Sequence, residues 1–186
     1  MSITVATRRL APRTIATRWP GATVLDVTSK GPDPWVRFSP FYPHGGIPVP
    51  GSPGVTAQSV EGVWQALKVF EHSDVDAGKL DITTMRNIKR TTRRHGSVVG
   101  HRAGLRSDEI LNYLDARQRI YLPTYDWVLT HRLADLVTAL RDTAADGDVV
   151  LLDYNTNGDV ADLSSPLSHA ALVARRVEEL LRQHKE

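Results

Sequence analysis

Ser59-Val60-Glu61-Gly62-Val63-Trp64-Gln65-Ala66-Leu67-Lys68-Val69-Phe70-Glu71-His72 is the stretch whose reading decides how the rest of the chain is arranged. At about 100° per residue, Val60, Val63, Trp64, Leu67 and Phe70 fall on one stripe, which predicts a core-facing helix over the run. Glu61, Gln65, Lys68 and His72 form a narrow polar column beside Trp64. Ser59 is placed to cap the helix, its oxygen accepting from a free N–H of the first turn. Glu61 sits in that turn, where the helix dipole favours an anion. The column is either a solvated face or the lining of a cleft, with Glu61 as acid or base and Gln65 and Lys68 as ligand contacts.

Upstream, Trp35-Val36-Arg37-Phe38 reads as a brief strand running into the proline-stiffened Ser39-Pro40-Phe41-Tyr42-Pro43. His44-Gly45-Gly46 supplies a turn and Ile47-Pro48-Val49-Pro50 a second extended piece. Gly51-Ser52-Pro53-Gly54 is the loop into the helix. Phe38 and Phe41 are expected in the core, whereas Trp35 and Tyr42 are candidates to lie against a planar ligand ring. Ala22 to Thr28 alternates and is β-branched, so it reads as a strand. Ser29 to Pro34, carrying Lys30, reads as a loop. Residues 1–22 are basic (Arg8, Arg9, Arg13, Arg18) and read as an edge strand or an N-terminal arm.

Downstream, Asp81 to about Arg94 reads as a basic helix with Met85 and Ile88 inward, stopped at His95-Gly96. Between Thr83 and Ser107 stand Arg86, Lys89, Arg90, Arg93, Arg94, Arg102 and Arg106 with no acid among them. Such a block either meets a phosphate or nucleic acid or pairs with acids elsewhere, such as Asp74, Asp76 and Asp81. Asp108 to Arg119 has helical spacing, with a break at Tyr121-Leu122-Pro123. Asp126 to Arg141 reads as a strong amphipathic helix, with Leu129, Leu133, Leu136, Val137 and Leu140 on one side. Val149 to Asp153 reads as a buried strand ending in a carboxylate, followed by a polar loop. Ser165 as N-cap and Pro166 at the first helical position begin the last helix, which is expected to fray from Arg182 to Glu186.

The 186 residues fit one domain with a sizeable core. No apolar run is long enough to cross a bilayer, and no signal-peptide pattern is seen, so a cytoplasmic location is expected. Without cysteine there is neither a disulfide nor a thiolate metal site. His95 and His101 have no third ligand at metal spacing, so no metal is expected, and no cofactor. Phosphate-binding glycine motifs are absent as well.

Ser59-Val60-Glu61 followed by Gln65-Ala66-Leu67-Lys68-Val69-Phe70 is similar to the S-V-E-h-y-f-Q-A-x-K-f helix of the NADAR (YbiA-like) family. Phe38-Ser39-Pro40-Phe41-Tyr42-Pro43 resembles that family's F-S-N-F-Y-P segment, with Pro40 in place of Asn. Gly100 and Arg102 resemble its G-R element, displaced by His101. Tyr125-Asp126-Trp127 is similar to its R-x-D-W, and Asp153 stands where its strand-end Glu would be. The family's W-G and G-x-N-x-L-G elements are missing.

The resemblance implies an α+β fold, a mainly helical single domain with a small sheet spanning residues 1–186. It also implies hydrolysis of the bond between ribose C1 and a base nitrogen. Glu61 would activate water, with Asp153 as a second catalytic carboxylate. Gln65 and Lys68 would bind substrate, Arg102 and Lys30 would neutralise phosphates, and Trp35, Trp64 or Tyr42 would stack on the base. The expected partner is an ADP-ribosyl or phosphoribosyl small molecule, most directly ADP-ribose on a modified nucleobase. Alternatives are a phosphorylated riboflavin-pathway intermediate, or a non-catalytic module binding nucleic acid or ADP-ribose through residues 86–106. No membrane partner is expected.

Overall fold

The structure is a computed structural model that describes residues 2–183. Of the end expected to fray, Arg182 to Glu186, Arg182 and Gln183 are still helical, and residues 184–186 lie outside the described residues. The chain divides into two compact units, Met1–Ser39 with Leu133–Glu186, and Pro40–Arg132.

The first unit begins with β1 (Ile3–Thr7), α1 (Pro12–Arg18) and β2 (Thr23–Asp26). Residues 3–7 are thus an ordered strand rather than a loose arm. Pro12 opens α1 where its missing N–H has no intrahelical partner to lose. Trp35–Phe38 forms a turn of 3-10 helix instead of the expected strand. The N–H groups of Val36 and Arg37 donate to the carbonyls of Pro32 and Pro34. Phe38 is fully buried, as expected, and the Trp35 ring stacks on it at 6.2 Å.

The second unit opens with β3 (Ile47–Pro48) and β4 (Thr56–Ala57), an antiparallel pair, and then α2 (Val60–Leu67). Ser59 caps α2 as expected, its Oγ accepting from the Gly62 N–H at 3.0 Å. The helix is shorter than the spacing predicts, because Lys68 turns to extended geometry (φ −69°, ψ 132°) and begins β5 (Lys68–Phe70). Phe70 is buried, but from a strand. The basic helix expected over 81–94 is also replaced, leaving only α3 (Thr92–His95) after an irregular segment. Ile88 and Arg90 are the two residues of that segment that turn inward.

The chain then forms β6 (Val98–Arg102) and β7 (Ile110–Leu111), giving an antiparallel sheet in the order β5-β6-β7. A helical run follows through α4 (Tyr113–Ala116), a π-helical stretch (Arg117–Tyr121) and α5 (Leu122–His131). Pro123 does not interrupt it, since Pro123 falls in the first turn of α5. The core of this unit gathers Val63, Ala66 and Leu67 of α2 with Val49, Leu111 and Ile120.

Back in the first unit, α6 (Ala134–Asp146), β8 (Val149–Asp153) and α7 (His169–Gln183) complete the chain. The single helix expected over 126–141 is therefore two, parted at Arg132 and Leu133. β8 is the buried strand its apolar run predicts. It is central in a parallel sheet ordered β1-β8-β2, with Ile3 and Thr23 both level with Val149. Helix α7 packs on β1, β8 and α6. It starts three residues after Pro166, because the Asn157 amide holds the Ser165 carbonyl and the Asn157 carbonyl holds the Ser168 N–H.

Among the described residues the fold is α+β, as expected, with three small sheets in place of one. No helix among the described residues is long and apolar enough to cross a membrane.

Candidate functional site

Glu61 lies one residue into α2 with only 8% of its surface exposed. Its N–H donates to the Pro40 carbonyl at 2.8 Å, fixing the helix start to the proline-rich segment. One turn later, Gln65 Nε2 donates to Glu61 Oε1 at 2.9 Å. The Gln65 Oε1 in turn accepts the Arg90 backbone N–H at 2.9 Å. Both ends of that amide are therefore tied down, and the carboxylate is held by a group that cannot rotate away.

Burial pushes the Glu61 carboxyl above its ordinary value, against the Gln65 hydrogen bond and the charges of Lys89 and Lys68. Half-buried Lys68 moves the opposite way. Burial lowers its ammonium, Glu61 pulls it back up, and Lys89 and Arg90 push it further down. Burial thus favours the neutral form of both groups, while the charge of each favours the charged form of the other.

Arg90 explains why α2 ends where Lys68 can reach this site. Its Nη1 donates to the carbonyls of Lys68 (2.6 Å) and Gln65 (3.3 Å), and its Nη2 to Ser73 Oγ (2.6 Å) and the Asp74 carbonyl (2.7 Å). The Asp76 N–H takes the Ala66 carbonyl at 2.9 Å. The carbonyls at the end of the helix are thus shared between the Asp76 N–H and the Arg90 guanidinium, whose charge also suits the negative end of the helix dipole.

His101 is the second residue that the sequence reading left without a role. It sits opposite Lys68 across β5 and β6, so the two side chains share one face of the sheet. Its ring lies 3.8 Å from that of Trp64, centroid to centroid, and is 1% exposed. Neither ring nitrogen has a hydrogen-bond partner among the described residues. Burial, helped by the Lys68 charge, drops its pKa to about 3, so the imidazole is neutral. Trp64 is further enclosed by Tyr113 at 6.1 Å and Tyr121 at 5.8 Å. Fully buried Arg117 lies over the Tyr113 ring at 4.4 Å, from within the π-helical stretch.

The other expected contacts are placed differently. Arg102 faces away from His101 along β6 and grips Asp74, with Nε to Oδ1 at 2.9 Å and Nη2 to Oδ2 at 2.6 Å. Its Nη1 donates to the Ser107 carbonyl. That hydrogen bond from Arg102 pulls the Asp74 carboxyl down to about 2. Tyr42 is half-buried with its ring 4.8 Å from that of His44.

Lys30, Trp35 and Asp153 belong to the first unit. Lys30 is exposed and Trp35 lies on Phe38. Asp153 Oδ2 accepts from Ser168 Oγ (2.7 Å), from the Ala170 N–H (3.2 Å) and from His169 Nδ1 (3.0 Å). Its Oδ1 accepts the Tyr154 N–H at 2.7 Å. Burial raises this carboxyl, but the contacts with His169 and Ser168 outweigh it and leave it at about 2. His169 Nε2 meets the Val27 carbonyl at 2.9 Å. Burial disfavours the imidazolium, yet Asp153 and Val27 hold its pKa above the ordinary value. This is a helix-starting carboxylate with a buried counter-ion.

The protein is α+β, with a buried acid and amide on one short helix and a half-buried lysine at the start of the strand that follows it. A family model described as "Family of unknown function (DUF6939)" matches residues 7–173, and the chain belongs to that family. No curated protein and no solved structure matches the chain.

Proposed function

We propose that the chain is an N-glycosidase that hydrolyses the bond between a ribose C1 and a base nitrogen, with Glu61 as the catalytic carboxylate. The observation that carries this reading is the Glu61 carboxyl, buried, raised in pKa and oriented by Gln65, with the Lys68 and Lys89 charges acting on it. Cleavage of such a bond passes through an oxocarbenium-like state that a nearby carboxylate stabilises. Ionised Glu61 would take a proton from water as the oxygen bonds to C1 and the electron pair leaves with the base nitrogen. Lys68 would hold a phosphate or polarise the leaving base. The resemblance to NADAR proteins supports an ADP-ribosyl substrate first and a phosphorylated riboflavin-pathway intermediate second. Asp153, whose oxygens are bonded within its own unit, takes no catalytic part in this reading.

The test is incubation with ADP-ribosylated DNA, RNA and nucleoside, and with a phosphorylated riboflavin precursor, beside Glu61→Gln. Release by the wild type and not by the variant supports the assignment. Equal release by both, or none by either, removes it.

A second reading, nucleic-acid binding without turnover, is favoured by one observation. Arg86, Arg93, Arg94 and Arg106 are exposed, and none makes an ion pair among the described residues. It requires binding that weakens steeply with salt, and an Arg93→Ala, Arg94→Ala double variant should lower the salt slope by about two.

A further inference from the structure

Lys89 stands between two buried residues, Ile88 and Arg90, and is itself exposed. Asn87, just before them, has left-handed backbone (φ +61°), and its carbonyl accepts from Lys79 Nζ at 2.9 Å. Asparagine is among the few residues that take this conformation readily. The Arg90 N–H sits on Gln65 Oε1, so Lys89 joins the chain beside the amide that holds Glu61. Its ammonium lies 5.3 Å from the centre of the Phe41 ring. Phe41 follows Pro40, whose carbonyl accepts the Glu61 N–H. The lysine side chain therefore runs back along α2 from Gln65 toward Phe41, past Glu61. Phe41, expected in the core, is half-buried and lies under this ammonium.

Lys68 stands at the other end of α2, half-buried, its ammonium 5.8 Å from the Phe70 ring. Among the described residues neither ammonium donates a hydrogen bond or forms an ion pair, with Glu61 or any other group. Both charges nevertheless act on Glu61 and on each other. Two ammoniums thus attend one buried carboxylate, while the neighbouring Arg90 is taken up by carbonyls and the Ser73 hydroxyl. What such a pair lacks is an anion with several oxygens to accept from it. A lysine is a compact point charge with three donors on a flexible stem, which suits a phosphate.

We propose that Lys89 is a substrate-binding residue that, together with Lys68, holds the 5-phosphate of the ribosyl group whose C1 bond is cleaved; this rests on the N-glycosidase reading of Glu61. A phosphate on C5 belongs to the same sugar as C1, so lysines close to Glu61 can meet it while the carboxylate serves C1. The ligand chemistry is a 5-phosphorylated ribose, either a monoester or the nearer phosphate of a diphosphate such as ADP-ribose. Lys89 moves no proton. Its contact with a part of the substrate that does not react orients C1 and disfavours nucleosides that carry no phosphate.

The experiment is calorimetric titration of the full chain at low salt with ribose 5-phosphate, ADP-ribose, inorganic phosphate and ribose, beside Lys89→Ala, Lys89→Arg and Arg18→Ala. Arg18 is exposed on α1, and its loss removes the same charge from another part of the chain. Ribose 5-phosphate or ADP-ribose should bind the wild type at least about tenfold more tightly than ribose or inorganic phosphate, and the tighter of the two identifies the phosphate source. Lys89→Ala should weaken that binding about tenfold, Lys89→Arg should restore most of it, and Arg18→Ala should change it less than about twofold. The inference is overturned if neither sugar phosphate binds, if Lys89→Ala binds like the wild type, if Arg18→Ala weakens binding as much, or if inorganic phosphate binds as tightly as the sugar phosphates. If Lys89→Ala does not fold, Lys89→Gln decides in its place. Turnover tells the two failures apart. Binding independent of Lys89, with turnover lost only in Glu61→Gln, sinks the phosphate site alone. Binding that depends on Lys89, with no turnover by the wild type, sinks the hydrolase reading alone.

Discussion

Gln65 Nε2 donates to Glu61 Oε1 across 2.9 Å, one helical turn apart, with both side chains buried. The amide is not free to choose another partner, because its oxygen is occupied by the Arg90 N–H. A carboxylate held this way keeps one oxygen for the helix and leaves the other as the one that can act.

Glu61→Gln is the first consequence. The variant retains an oxygen for Gln65, so the fold should persist while turnover of an ADP-ribosyl substrate falls by at least about 100-fold. The pH dependence carries the sign. The raised pKa means that wild-type turnover should climb with pH through an inflection above 4.5, the ordinary value for Glu. The same shift makes ionised Glu61 unfavourable to the folded state. Stability should therefore decline as pH rises from 4.5 through that inflection, and the variant should lack the decline. Thermal melts at pH 4 and pH 7 for both proteins settle the point.

Arg90 should matter more than its place in a run of surface arginines suggests. Arg90→Ala leaves the carbonyls of Gln65, Lys68 and Asp74 without the guanidinium donors and should cost about 2–3 kcal/mol in urea unfolding. Arg90→Lys should recover little, since a point charge cannot reach the carbonyls of Gln65, Lys68 and Asp74 together. Full recovery by lysine would show that charge, not the guanidinium fork, ends the helix.

The Asp153–His169 pair makes stability depend on pH from both sides. Asp153, depressed to about 2, contributes above its unfolded value of 3.8 and loses that contribution as pH falls toward 2. His169, raised, contributes fully below its unfolded value of 6.5 and loses it as pH climbs through the folded value. The pair therefore stabilises most between those two unfolded values. Asp153→Asn should cost about 3 kcal/mol at pH 6 and flatten the alkaline decline in denaturant titrations.

Gly51 and Gly104 pack backbone against backbone: a Cβ on Gly104 would fall on the Gly51 carbonyl, one on Gly51 would fall on the Ala103 carbonyl, and Gly51 has φ +63°. Gly104→Ala should lower stability by about 2 kcal/mol or more, because the atoms that must move are main chain. An alanine tolerated without loss, measured by thermal melt, would show that the loop at residues 50–54 can retreat.

Much of the fold could be read where one residue pattern has one structural answer. Val149 to Leu152 is apolar without interruption and becomes the central strand. Ser59 with a helical stripe behind it becomes a capped helix. Reading failed where a pattern has two answers. Val69 and Phe70 continue the apolar stripe of α2, but over so short a span a buried strand shows the same residues. Leu129 to Leu140 keeps its period across Arg132, because periodicity does not register a backbone break. Within the candidate site, Glu61 and Gln65 could be found from their helical spacing, and Lys68 by extending the same spacing one residue past the end of α2 into β5. Arg90 and His101 could not, since each meets its neighbours only after the chain folds back, and a lone His or one Arg among seven cations marks nothing by itself. Arg102 was legible as a strong anion-gripping group, but Asp74, 28 positions earlier, is the anion it grips.

Leu67 closes α2 and Lys68 opens β5 with no residue between them. That seam is intolerant of a change in chain length. One amino acid inserted there would flip the strand's parity, turning Val69 toward the side that Lys68 now occupies and parting the lysine from the imidazole across the ladder. Indels in this lineage should therefore gather in the polar stretches away from position 67, and a library of single-codon insertions scored for activity would trace the boundary.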